Sequence, residues 1–147
     1  MKLVIQRVTS SCLYIEGSLI SQIKQGLVVL IGISKSDSEN VIDKLVKKLL
    51  NLRVFEDENS KMNYSILDIE GEILLVSQFT LYADTRKGNR PSFINAADPN
   101  NAEPLYNKFL EKLHILLGDN LKTGRFGANM QIELVNDGPI TIIIENP

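Results

Sequence analysis

The run GLVVLIGI, Gly26 to Ile33, limits what this chain can fold into more than any other stretch. It is apolar almost without interruption. It is too short for the about 20 residues of a membrane helix, and it lacks the alternation of a strand with one wet face. Such a segment reads as a central strand buried on both sides. A strand covered twice needs partner layers, and the next segment supplies one. In SKSDSENVIDKLVKKLLNL, Val41, Ile42, Leu45, Val46, Leu49 and Leu50 recur at helical spacing, with Lys44, Lys47 and Lys48 opposite them. Ser36, with Glu39 three residues on, has the form of a capping box.

The rest of the chain fits around this pair. Residues 2–8 and 12–16 read as strands, and Glu16-Gly17-Ser18 as a hairpin turn into Leu19–Ile23. LRVFED reads as a short strand before a polar loop, Glu58 to Asn63, and Ile73–Leu81 as a long strand. A second helix is expected from about Glu103 to Leu117, with Leu105, Phe109, Leu113 and Leu117 as its stripe. The last quarter reads as two strands joined at Asn136-Asp137-Gly138-Pro139. No repeat or linker divides the 147 residues, so one domain is expected across 1–147. Its class is α/β, a mixed sheet with two amphipathic helices.

Charge and rare residues exclude several chemistries. Sixteen basic against eighteen acidic residues give a net charge of −2, so contact with nucleic acid has to come from a local patch. With one His and one Cys, only carboxylates could hold a metal, and no Asp/Glu cluster has ligand spacing; neither metal nor cofactor is expected. His114 lies beside the helical stripe without a sequence-level nucleophile partner, and Cys12 reads as a small core residue. A lone cysteine and the absence of an apolar leader at the N-terminus suit the cytoplasm, with no membrane contact.

Three places could carry chemistry. Ser77, Gln78 and Thr80 end an apolar strand, where ligand sites of α/β sheets gather. On an extended strand Gln78 and Thr80 would share one face. No G-x-S-x-G elbow accompanies them, which weakens a serine-hydrolase reading. Arg86, Lys87 and Arg90 put three cations in five residues, the chemistry of a phosphate contact or of a solvated turn. Lys122 and Arg125 are too sparse to add a second patch. Asp137-Gly138 is a common turn pair, but Pro139 cannot donate a ladder hydrogen bond and belongs at a strand end. The sequence leaves the isomer of the Gly138–Pro139 bond open.

The segments QRV, NLRVFEDENSKMN, SQFTLYADTRKGNRPSF, AEPLYNKF and TGRFGANMQIELVNDGPITIIIE stand in an order and spacing that resemble the D-aminoacyl-tRNA deacylase family. The resemblance spans essentially the whole chain. Both signature motifs, Ser-Gln-x-Thr at 77–80 and Gly-Pro-x-Thr at 138–141, are intact. The resemblance implies mixed sheets forming a barrel-like sandwich with two helices. It implies a homodimer that hydrolyses the ester of D-aminoacyl-tRNA or glycyl-tRNA, in the cytoplasm, without a cofactor. It further implies that Gly138 and Pro139, joined by a cis bond, enter the partner's pocket as a chirality filter braced by Arg7. Ser77, Gln78, Phe79 and Thr80 would surround the ester, and Phe126 and Met130 would contact the adenine and the aminoacyl end. A competing expectation is a nucleic-acid-binding module without catalysis, using Arg86–Arg90 and Phe126. A third is a conventional Ser/Thr hydrolase of small esters.

Overall fold

The structure is a computed structural model that describes residues 1–145. In chain order it contains β1 (Lys2–Ile15), β2 (Ser18–Ile23), β3 (Gly26–Gly32), α1 (Ile42–Leu50), β4 (Phe55–Glu56), β5 (Met62–Tyr64), β6 (Glu72–Ser77), α2 (Pro99–Leu117), β7 (Leu121–Thr123) and β8 (Gln131–Glu145).

β3 meets the requirement its sequence set. It pairs antiparallel with β1 and parallel with β6. Leu27, Val29 and Ile31 face a core shared with Leu45 and Leu49 of α1 and Phe109 and Leu113 of α2. Val28 faces a second core, with Val8, Leu13, Ile23, Leu74 and Val76. Each such burial stabilises by about 1.5–3 kcal/mol. Gly26 opens β3 because nothing larger fits: a Cβ there would lie 1.8 Å from the Glu72 carbonyl oxygen.

The sheet curls. Its strand order is β2-β1-β3-β6-β7, with β8 on the other edge of β1. β1 pairs with β3 over residues 2–8 and with β2 over residues 11–15. The Ser21 hydroxyl on β2 donates to the Thr123 carbonyl on β7, joining the ends of that path. The result is a nearly closed, barrel-like mixed sheet with one core inside the curl and another under the helices. No helix among the described residues is long and apolar enough to cross a membrane.

Several local expectations are corrected. The two strands expected over 2–8 and 12–16 are one strand, β1, ending at Ile15, because β8 pairs along almost the whole of it while the opposite edge changes partner from β3 to β2. The expected capping box does not form. Ser36 Oγ lies 3.1 Å from Ser34 Oγ, and Glu39 reaches Lys108 on α2 at 2.5 Å. A 3₁₀ turn at Glu39–Val41 precedes α1 instead. The polar loop ends in β5, which pairs with β4. The long strand stops at Ser77, and Phe79–Tyr82 form a 3₁₀ turn, so Gln78 and Thr80 are not alternating strand residues. α2 begins at Pro99, where Asp98 caps it through the Asn100 amide at 3.0 Å. β7 had no separate sequence signature. Residues 131–145 form one strand, β8, interrupted by an excursion. Cys12 is half-buried rather than in the core.

Candidate active site

The parallel pair β3–β6 sends both C-terminal ends to the same rim, the usual place for a ligand cleft in such sheets. A cavity of about 750 Å³ opens there. Ile31, Ile33 and Val76 form its base, Ser77, Gln78 and Phe79 one side, and Phe126, Ala128, Met130 and Ile132 another. Phe93, Ala96 and Ala97 contribute a third wall. Phe79 and Phe93 meet edge to face, with centroids 5.0 Å apart at 71°, and Phe79 keeps 57% of its surface exposed. Phe126 leans on the buried ring of Tyr106 at 5.5 Å, and the Tyr106 hydroxyl donates to the Leu75 carbonyl at 3.3 Å. Helix α2 is thereby tied both to the cavity wall and to the strand that delivers Ser77. Burial pushes the Tyr106 phenol up to about 12.

The polar groups at this rim have a distinct arrangement. The Gln78 amide makes the last ladder bond, to the Ile31 carbonyl at 2.8 Å. Gln78 Nε2 then donates to Thr80 Oγ1 at 2.5 Å. Within the 3₁₀ turn, Leu81 and Ala83 donate to the carbonyls of Gln78 and Thr80. The first two amides of the turn, Phe79 and Thr80, have no backbone acceptor among the described residues. No carboxylate or imidazole bonds the hydroxyl of Ser77 or Thr80 among those residues. His114 is exposed in the last turn of α2. Among the described residues no three His, Cys, Asp or Glu side chains come together.

The cavity therefore gathers Ser77, Gln78, Phe79, Phe126 and Met130, while Thr80 sits exposed just outside its lining. Gly138 and Pro139 lie elsewhere in the same chain. Residues 137–140 stand opposite the single residue Arg7, between the pairs Val8–Asn136 and Gln6–Thr141. The Gly138–Pro139 bond is cis, and both residues are exposed. Beneath them Arg7 is only 6% exposed. Its Nη1 donates to the Val54 carbonyl at 2.7 Å and its Nε to the Asp137 carbonyl at 3.3 Å, while the Asp137 carboxylate forms an ion pair with Nε at 3.2 Å. Asn136 closes the excursion by accepting from the Ile140 amide at 3.3 Å and donating to Thr141 Oγ1 at 3.2 Å.

Arg86, Lys87 and Arg90 are exposed in a loop closed by the Asp84–Ser92 bridge, away from the cavity lining. Arg86 grips Asp84 through two side-chain bonds of 2.9 and 2.6 Å, which hold that carboxyl at about 2. Lys35, Phe93, Ala96, Ala97 and Ile132 line the cavity without having been singled out from the sequence. Phe93 offered a signal, an aromatic in a polar loop. The alanines offered none, since a methyl group forms a wall only once the backbone has brought it there.

The chain matches the family model described as D-Tyr-tRNA(Tyr) deacylase over residues 4–145. It is 53% identical over 145 residues to the D-aminoacyl-tRNA deacylase of Bacteroides fragilis (strain YCH46), covering 99% of this chain and 97% of that one. With the D-aminoacyl-tRNA deacylase of Thermosipho melanesiensis it shares 48% identity over 146 residues, at 99% and 97% coverage. A solved structure named c-Myc DNA Unwinding Element Binding Protein superposes at a TM-score of 0.95 with 47% identity, covering 100% of this chain and 99% of that one. A probable eukaryotic D-amino acid tRNA deacylase shares the fold at a TM-score of 0.83 with 18% identity, over 97% of each chain. By a match that runs through both the cavity rim and the Gly138–Pro139 excursion, the chain belongs to the D-aminoacyl-tRNA deacylase family.

Proposed function

We propose that this chain hydrolyses the ester joining a D-amino acid, or glycine, to the 3′ end of tRNA, and spares the L-aminoacyl ester. The enzyme would work in the cytoplasm as a homodimer. The observation that carries this reading is the clamped, exposed Gly138–Pro139 turn. Backbone carbonyls held rigidly beside Cα leave room for hydrogen and reject a carbon substituent. An L side chain would clash or strip those oxygens of partners, at a cost of several kcal/mol. A D side chain would point away, and glycine has nothing to reject. The buried Arg7 braces the turn from below. Because Gly138 and Pro139 do not line their own chain's cavity, the filter would serve the cavity of a partner subunit.

At the ester, the unpaired amides of Phe79 and Thr80 are suited to receive the developing oxyanion. Ser77 and Gln78 would position water and the terminal ribose, Thr80 would flank them, and Phe126 and Met130 would hold the adenine and the aminoacyl end. With no base on either hydroxyl, an obligatory protein nucleophile is not required: positioned water, assisted by the substrate's own 2′-OH, suffices for an activated ester. Lys87 and Arg90, with Arg86 partly neutralised by Asp84, would touch tRNA phosphates.

The test compares D-aminoacyl-, L-aminoacyl- and glycyl-tRNA as substrates. Release from the first and third alone is expected. No release from any of them would favour the binding-module reading, and turnover of small esters without tRNA a conventional hydrolase. In single-turnover assays, Ser77→Ala and Thr80→Ala should each retain measurable deacylation. A loss of many thousand-fold at unaltered binding would make that hydroxyl the nucleophile and overturn the mechanism.

A further inference from the structure

The substrate class proposed above is a polyanion whose nearest phosphate is one ribose away from the scissile ester. A cavity built for that ester should have a cation in its lining, beside Ser77. The Arg86–Arg90 loop does not line the cavity. The N-terminus of α2 does border it, but its amides are occupied: Asn100 donates to Asp98 Oδ1, Asn101 and Ala102 donate to the Asp98 carbonyl, and Pro99 has no N–H. A phosphate would find no free donor there.

Lys35 remains. Among the described residues it is the one cation in the cavity lining, and it also lines a second hollow of about 560 Å³ that shares Ala97 and Asp98 with the first. Its backbone is fixed to the rim. The Lys35 amide donates to the Asn95 carbonyl at 3.1 Å, and the Ala97 amide donates to the Ile33 carbonyl at 3.0 Å. Its side chain is exposed and makes no ion pair with any described residue. The neighbouring carboxylates do not compete for it. Asp37 is engaged by the Met1 ammonium and the Ser34 amide, and Asp98 accepts from Asn100 and Asn101. The second hollow presents Ser34, Asn100 and Asn101, neutral hydrogen-bonding groups suited to a sugar or a base edge, beside the already engaged carboxylates of Asp37 and Asp98.

We propose that Lys35 receives the 5′-phosphate of the terminal nucleotide, and that the penultimate nucleotide crosses it into the second hollow. The single-stranded 3′ end would thus be led along a groove from the hollow to the ester. This rests on the deacylase reading, and the experiment separates the two. Two substrates are compared: D-aminoacyl-tRNA and the 3′-D-aminoacyl ester of adenosine, which carries no phosphate. In Lys35→Ala the ratio of kcat/KM for tRNA over nucleoside should fall roughly threefold to tenfold, through KM. The slope of log kcat/KM against log salt for tRNA should flatten by about 0.7, the loss of one single-strand phosphate contact. Lys35→Arg should restore both. An unchanged ratio in Lys35→Ala, whether from no loss or from equal loss on both substrates, overturns the assignment. Wild-type protein that turns over neither substrate overturns the deacylase reading itself and this inference with it.

Discussion

At Gly138 the backbone holds φ at +118°, which an L side chain rarely adopts, and the surroundings are already full. A Cβ there would stand 2.8 Å from Ile140 Cγ1, 3.1 Å from the Ile140 amide and 3.3 Å from Arg7 Nη2. The last contact matters most, because Arg7 is a buried cation that cannot retreat without abandoning the Val54 carbonyl and Asp137. Gly138→Ala should therefore cost about 1–3 kcal/mol of stability, seen as a lower urea midpoint. Because the excursion must shift to relieve the contacts, the surviving folded fraction should also release L-aminoacyl-tRNA more readily than wild type. A variant with a wild-type midpoint and intact L rejection would show that the turn is free to relax and does not act as a rigid filter. Cys12 and His114 carry no comparable constraint: one is half-buried in β1, the other exposed on α2.

Tyr106 shows how one element serves the site without touching it. From α2 it packs against Phe126 and bonds the Leu75 carbonyl of β6. Its phenol is raised by burial from 10.0 to about 12, so the folded protein keeps a proton that the unfolded chain releases above about pH 10. The stability this contributes is whole below pH 10 and is lost as pH rises through about 12. Tyr106→Phe should remove that decline, giving a difference on the order of 1 kcal/mol by about pH 11 in urea melts. Tyr82, also near 12, titrates in both proteins and cancels. Elements whose pattern is set by burial were legible: β3 from its unbroken apolar run, α1 from its stripe, the 16–18 turn from its glycine. Where pairing partners decide, sequence was mute. Thr9-Ser10-Ser11 reads as a break, yet Ser11 is buried and donates to the Glu133 carbonyl at 2.8 Å, because β8 carries β1 across it. Ser77–Leu81 looks like continued strand, yet Ser77 is where the pairing with β3 stops. The start of α2 was readable in Asp98-Pro99, a capping residue before a first-turn proline. It was masked by the polar residues and by Pro104, which weaken the helical pattern there. The cavity residues fall into the same two groups: the motif side chains stood out, and the wall of Ala96 and Ala97 did not.

Within one chain the cavity and the Gly138–Pro139 turn, proposed above as the filter, do not meet. The outward face of β8 beside the filter bears Val135 and Ile143, 56% and 62% exposed, flanking the Gly138–Pro139 turn along the strand. Paired about a two-fold axis, the same patch would meet itself, and on the proposed reading each turn would reach the other protomer's cavity, so that two complete sites would form together. The double substitution Val135→Glu, Ile143→Glu places carboxylates where two such faces would close, and like charges buried against each other are strongly unfavourable. Both positions are exposed in the protomer, so its own core is untouched. The variant should sediment as a monomer with a native circular dichroism spectrum. Deacylation of D-aminoacyl-tRNA should fall by at least about tenfold, since the cavity would lack the wall that orients the aminoacyl group. A monomer that still hydrolyses the D ester at full rate and still rejects the L ester would mean that one chain holds the entire site, and the filter would have to be sought among the residues of its own cavity.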